Sequence, residues 1–273
     1  MVWSGRAAPP GEVADRVQAL MPEIRRNFTG QVPPSALGEP IAPVRVVGDG
    51  DAPAGRPFGI ELDRLKSGRV GVFDLRKAAV VVGTEGSEPN PLPRESGPIA
   101  IGQDASSLIF LHACARRAGN EQGHRYIYNF EDTADLLGSY EVLYADGLTI
   151  SVPIRYGYDI MEWNWGSGPD SERFLYLPGA STRRRAANEP TIWSNSWYCY
   201  GADVVDAAAD PAKPIRLFAF EWVNPRFGKT IREVRLKGSA GFTGFTRRVI
   251  PSNAVVLAAV SAVRKRESKR TSE

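Results

Sequence analysis

Gly138-Ser139-Tyr140-Glu141-Val142-Leu143-Tyr144-Ala145-Asp146-Gly147-Leu148-Thr149-Ile150-Ser151-Val152-Pro153-Ile154 decides the fold. Tyr140, Val142 and Tyr144 alternate with Glu141 and Leu143, and Ile150, Val152 and Ile154 alternate with Ser151 and Pro153. A period of two puts one set on one face of a strand. Asp146-Gly147 lies between the two runs. That dipeptide tolerates the positive φ of a tight reversal, so the stretch predicts an antiparallel hairpin of 138–144 and 148–154.

The same rhythm extends in both directions. Upstream, Pro43-Val44-Arg45-Val46-Val47, Phe58-Gly59-Ile60-Glu61-Leu62, Arg69-Val70-Gly71-Val72-Phe73 and Ala78-Ala79-Val80-Val81-Val82 read as strands. Ser106-Ser107-Leu108-Ile109-Phe110-Leu111-His112-Ala113 has the composition of a central strand buried on both faces. Downstream, Arg216 to Trp222 and Thr230 to Leu236 alternate, with the turn Asn224-Pro225 between them. Ala254 to Val263 fits either a helix or a strand by periodicity. Its valines, and the Pro251-Ser252-Asn253 turn before it, favour a final strand. About ten strands without a convincing helix between them predict an all-β antiparallel β-sandwich, of the jelly-roll kind, over 41–263. Residues 1–40 read as a short helical or irregular arm and linker: Val13, Val17, Leu20 and Ile24 have helical spacing, broken by Pro22. Residues 264–273 read as a basic tail.

Composition bounds the function. The hydrophobic share of 42% sustains a core, which excludes disorder for the bulk of the chain. No run of about 18 apolar residues is present, so no membrane span is expected. The first residues, MVWSGRAAPPGEVADR, contain no apolar stretch of the kind a secretory signal needs, and a module cut from a longer protein would read the same. The net charge of +3 is concentrated in Arg183-Arg184-Arg185 and the tail, without interleaved aromatic residues, so no nucleic-acid partner is expected.

Candidate chemistry is sparse. Cys114 and Cys199 belong to no CxxC pair, which leaves a disulfide or two buried thiols as the readings. His112 lies in an apolar strand and His124 in a polar loop, and neither has a partner at metal-ligand spacing. No cofactor is expected. Gly48-Asp49-Gly50-Asp51 and Asp132-Thr133-Ala134-Asp135 offer hard oxygen ligands for a structural calcium, although tight turns use the same residues. Glu141, Glu162 and Glu221 supply the carboxylates that glycoside hydrolysis would need.

Four segments, in order, carry a resemblance: Leu108-Ile109-Phe110-Leu111-His112-Ala113; Tyr140 to Gly147; Pro153-Ile154-Arg155-Tyr156-Gly157-Tyr158-Asp159-Ile160 followed by Trp163-Asn164-Trp165; and Phe218-Ala219-Phe220-Glu221-Trp222-Val223-Asn224-Pro225. The set resembles the galactose-binding-like β-sandwich accessory domains of bacterial polysaccharide-degrading enzymes. The resemblance implies a non-catalytic carbohydrate-binding or accessory module, a polysaccharide or oligosaccharide ligand, and a catalytic domain as partner. It also implies a structural calcium, and an extracellular or periplasmic location if the chain is part of such an enzyme. The competing readings are a β-sandwich glycoside hydrolase or polysaccharide lyase, and an interdomain scaffold that binds no glycan.

Aromatic rings cover the weakly polar C–H faces of sugars, while planar polar groups bond the hydroxyls. Arg155, Tyr158, Trp163 and Trp165 are therefore the expected binding residues, with Trp193 and Trp197 as the opposing wall. Arg155 offers a fork of donors to vicinal hydroxyls or to a uronic carboxylate. Asp159, Glu162 and Asn164 are candidates for further hydrogen bonds, and the same rings can equally be core.

Overall fold

A computed structural model describes residues 34–46, 59–76, 79–86, 90–116, 136–164, 202–210, 212–213, 215–240, 242–243, 248–249 and 252–264. The expected N-terminal helix, both calcium loops, His124, Cys199, the Arg183–Arg185 cluster and most of the basic tail lie outside them. The strands in chain order are β1 (Ile41–Val44), β2 (Gly68–Val70), β3 (Phe73–Leu75), β4 (Val80–Gly83), β5 (Ile99–Gln103), β6 (Ser107–Cys114) and β7 (Leu136–Tyr144). They continue as β8 (Thr149–Arg155), β9 (Ala202–Asp206), β10 (Arg216–Val223), β11 (Ile231–Gly238), β12 (Phe242–Thr243), β13 (Arg248–Val249) and β14 (Ala254–Val263). One sheet has the order β1-β14-β6-β10-β9, and β4 also pairs with β14. Strands β4 and β1 share one edge of β14 end to end, opposite Ala254–Leu257 and Val260–Val263. The second sheet has the order β5-β11-β7-β8. Every pairing is antiparallel within both sheets.

The sheets pack face to face as a β-sandwich, as the alternation predicts. Phe110 of β6 stacks on Tyr140 of β7 with centroids 3.8 Å apart and planes 6° from parallel. Leu108, His112 and, on β14, Val260 lie on the same side as Phe110 by the period of two and the register. The other side of this sheet is also dry. Ser261 Oγ donates to Val72 O (2.8 Å) in the turn of the β2–β3 hairpin, and Ile109, Leu111 and Ala259 are buried beside it. Burial on both faces explains why β6 and β14 read as unbroken apolar runs. It also settles Ala254–Val263 as a strand. The four-stranded sheet differs: Glu141, Ser151, Arg235 and Lys237 project from its outer face, and Ser151 is exposed.

Two sequence expectations change. Of the strand expected at 58–62, residues 59–62 instead lead into a 3-10 turn at Leu62–Arg64, and Phe58 lies outside the described residues. Leu62 and Leu65 are buried there, and Leu65 bridges to Ala208, so apolar residues that looked like strand alternation anchor a connecting turn. The run Arg69–Phe73 is split into β2 and β3 by Gly71 at φ +57°, a left-handed conformation suited to glycine.

The sequence motifs interlock. Tyr144 of the hairpin donates its hydroxyl to Asn224 Oδ1, and Asn224 Nδ2 donates to Ala105 O (2.8 Å). Arg226 grips Asp146 with both guanidinium nitrogens (2.9 and 2.7 Å), lies 4.7 Å over the Tyr144 ring, and holds the Asp146 carboxyl down at about 2. The hairpin turn itself closes with Gly147 N–H to Tyr144 O (3.0 Å), Gly147 taking φ +89°.

The two sheets meet backbone to backbone at one corner. A β-carbon on Gly238 of β11 would lie 1.9 Å from Gly83 O of β4, and, within the four-stranded sheet, one on Gly138 would lie 2.1 Å from Lys237 O. Asn253 ties the same corner. Its Oδ1 accepts from the N–H groups of Ala115, Arg116 and Ala254 (3.1, 2.9 and 2.8 Å), its Nδ2 donates to Arg116 O (2.7 Å), and its carbonyl accepts from Thr84 N and Asn90 Nδ2. Gly238→Ala has no room without backbone movement and is expected to cost at least about 2 kcal/mol. Asn253→Ala deprives the Arg116 and Ala254 amides of their acceptor and is expected to cost about 2–4 kcal/mol. Urea unfolding midpoints of the two variants against the parent check both values.

Candidate functional site

The stretch expected to bind a ligand begins where β8 ends. Gly157, at φ +81°, lets the chain reverse, and Gly157 N–H donates to Ile160 O (2.8 Å). Tyr158 and Asp159 N–H groups both donate to Arg155 O (3.2 and 2.9 Å), and Asp159 Oδ2 accepts from Arg155 N (2.8 Å). The carboxylate of Asp159 is fully buried and serves this turn. It is therefore not exposed to bond a ligand.

After the turn the chain crosses to the six-stranded sheet. Cys114 N–H donates to Met161 O and Trp163 N–H to Cys114 O (both 2.9 Å), a short parallel ladder. Arg216 N–H donates to Trp163 O (2.8 Å). The last direct pair between β6 and β10 is His112 with Phe218. Met161–Trp163 is thus wedged between strands that part beyond that pair.

Alternation then fixes directions. Ile154 is buried in the core and Arg155 is half-buried on the outer side of the four-stranded sheet. Glu162 lies level with Cys114 and faces inward, where Tyr156 donates its hydroxyl to Glu162 Oε2 (2.5 Å). Trp163 consequently lies on the other side, half-buried against the core cluster. Arg155 and Trp163 therefore flank the same end of the sandwich from opposite sides and do not converge on one face. Tyr158 is 8% exposed and presents almost no ring surface, contrary to its expected role. Asn164 is exposed. Trp165, Trp193 and Trp197 lie outside the described residues.

The groups with catalytic chemistry are engaged elsewhere. Glu221 accepts from Ser35 N–H and Oγ and from Ser107 Oγ (2.5 Å to the latter), which docks the Pro34–Leu37 turn on β10. Glu141 accepts from Ser139 and Ser151 hydroxyls (3.0 and 2.9 Å). Glu221 and Glu141 point from the outer sides of opposite sheets. Packed sheets are about 10 Å apart, so these two carboxylates exceed the roughly 5–9.5 Å that glycoside hydrolysis uses. Cys114 is a free, fully buried thiol, and burial followed by the charge of Glu162 pushes its pKa up. Among the described residues no cluster of three or more His, Cys, Asp or Glu is placed to hold a metal, and no helix is long and apolar enough to cross a membrane.

No family model matches the sequence, and no curated protein or solved structure matches the chain.

His112, placed by the sequence in an apolar strand, lies fully buried between the sheets. Nε2 donates to Asp159 O (2.9 Å), because a carbonyl only accepts, and Tyr140 therefore donates its hydroxyl to Nδ1 (2.7 Å). Burial lowers its pKa from 6.5 to about 4. Unfolding exposes the imidazole and restores its ordinary affinity for protons. The unfolded chain thus binds more protons between pH 6.5 and 4, and stability must fall as pH drops through that window, by about 3 kcal/mol in all. Denaturant unfolding at pH 7 and pH 4 should show the loss in the parent, and a smaller pH dependence in His112→Gln.

Proposed function

We propose that this chain is a non-catalytic carbohydrate-associated accessory module, which binds a polysaccharide or oligosaccharide over the end of the sandwich carried by Arg155 to Trp163. The observation that carries the reading is a division of labour among polar and aromatic groups. Asp159, Glu221, Glu141 and His112 are spent on internal bonds of the scaffold. Arg155, Trp163 and Asn164 keep accessible surface at one end, on a turn locked by main-chain bonds. Binding functions are commonly placed on such connections, held by a rigid scaffold.

The ring of Trp163 supplies the stacking face, and a glycan chain draped over the end meets Arg155 on the far side. Trp165, Trp193 and Trp197 belong to the same proposal as further stacking residues. The motif resemblance supports the assignment to polysaccharide degradation and a catalytic domain as natural partner.

A panel of polysaccharides, scored for both retention of the chain and release of reducing ends, tests the reading. Retention without release is the expected result. Release by the isolated chain would assign it to the hydrolases or lyases, and absence of retention would make it a scaffold. Trp163→Ala removes an apolar contact of about 1–3 kcal/mol, so affinity for the retained glycan should fall roughly tenfold to a hundredfold.

A further inference from the structure

Arg155 is unusual among the arginines of the scaffold. Arg226 is paired with Asp146, Arg235 with Glu95 and Glu233, Arg94 with Glu85, and Arg264 with Gln103. The guanidinium of Arg155 makes no hydrogen bond and no ion pair with any described residue, although the residue is half-buried. Partial burial weakens the hydration that would otherwise satisfy a charge, so such a cation favours an anion delivered from solution.

Its surroundings fit that role. The backbone of Arg155 is held on both sides, its N–H by Asp159 Oδ2 and its carbonyl by the Tyr158 and Asp159 amides, so the root of the side chain is fixed before any ligand arrives. Among the described residues β8 is the edge strand of the four-stranded sheet, paired with β7 alone. Arg155 therefore stands at the rim of that sheet's outer face, on the same side of the strand as Pro153, Ser151 and Thr149. The Asp159 carboxylate is fully buried and turned to the Arg155 main-chain N–H, and among the described residues the acidic group on the outer face opposite β8 is Glu141, level with Ser151. Four residues of strand separate that level from Arg155, about 13 Å, which is beyond the screening length of about 8 Å at physiological salt. Glu141 is in addition held by two hydroxyls.

We infer that the glycan bound by this module is acidic, and that Arg155 reads the carboxylate of a uronic acid residue through the two parallel N–H donors of its guanidinium. A planar fork matches a planar carboxylate in a way that a neutral sugar hydroxyl does not. The inference rests on the carbohydrate-binding reading above and adds the class of ligand.

The experiment compares binding of the full chain to polygalacturonate and alginate with binding to the same polymers after reduction of their carboxyl groups. The uronate polymers should bind at least tenfold more tightly than their reduced forms, and the preference should shrink as salt is raised. Arg155→Gln should weaken the uronate polymers roughly tenfold to a hundredfold and the reduced polymers far less, so that the preference for carboxylates is lost. Arg155→Lys, which keeps the charge and loses the fork, should restore only part of the loss. Thermal unfolding of both variants at the parent's temperature excludes misfolding as the cause. Retention of neutral glycans without preference for carboxylates, unaffected by Arg155→Gln, overturns the inference and leaves the accessory-module reading standing. Retention of no glycan, acidic or neutral, overturns both.

Discussion

A phenol hydroxyl in the middle of a sandwich core has to be hydrogen-bonded, and that requirement at Tyr140 organises this protein. Tyr140 is fully buried, stacks on Phe110 across the interface between the sheets, and bonds His112. A slip of one residue in either strand would turn Tyr140 or His112 to the opposite face and strand the other polar group in apolar surroundings. The pair therefore fixes how one sheet sits on the other. The second ring nitrogen of His112 carries the constraint onward to Asp159 O, and so to the turn that follows β8. Core register and the geometry of the candidate binding end are consequences of one buried bonding chain.

The four motifs that suggest a carbohydrate-associated domain are joined by the same logic. His112 of the first meets Tyr140 of the second and Asp159 of the third, and Tyr144 of the second meets Asn224 of the fourth. Each supplies one half of a buried polar pair whose other half lies far away in sequence. A motif set of this kind reports scaffold construction first. Ligand chemistry has to be sought in the groups left over.

Much of the scaffold was legible in the sequence, for identifiable reasons. The hairpin around Asp146-Gly147 announced itself because alternation and turn chemistry are both local, and the apolar runs of β6 and β14 announced burial on two faces. The 3-10 turn at Leu62–Arg64 was not legible, since Ile60 and Leu62, both buried, stand two apart as the inward residues of a strand would. Asn253 gave no signal at all: a single asparagine in Pro-Ser-Asn reads as an ordinary turn, and its bonds to two distant segments, at Thr84 and Asn90 and at Ala115 and Arg116, exist only after folding. At the candidate site, the sequence grouped Arg155, Tyr158 and Trp163 by proximity along the chain. It could not show that strand alternation and a crossing between sheets send Arg155 and Trp163 to opposite sides, or that Tyr158 is covered.

The wedge of Met161–Trp163 between β6 and β10 has an architectural consequence. Trp163 is bonded to Arg216 at the start of β10, and Ala202 resumes the chain opposite Phe220, four residues further along the same strand. The chain therefore leaves the described scaffold after Asn164 and resumes at Ala202 from posts on opposite edges of β10, about 16 Å apart. The entropy of closing a loop grows only logarithmically with its length, about 0.6 kcal/mol per doubling. Between two such fixed posts the scaffold is nearly indifferent to how much chain is inserted. The length of chain between these two posts is therefore a weak lever on the stability of the frame, which is set by the pairing of β10 with its neighbours.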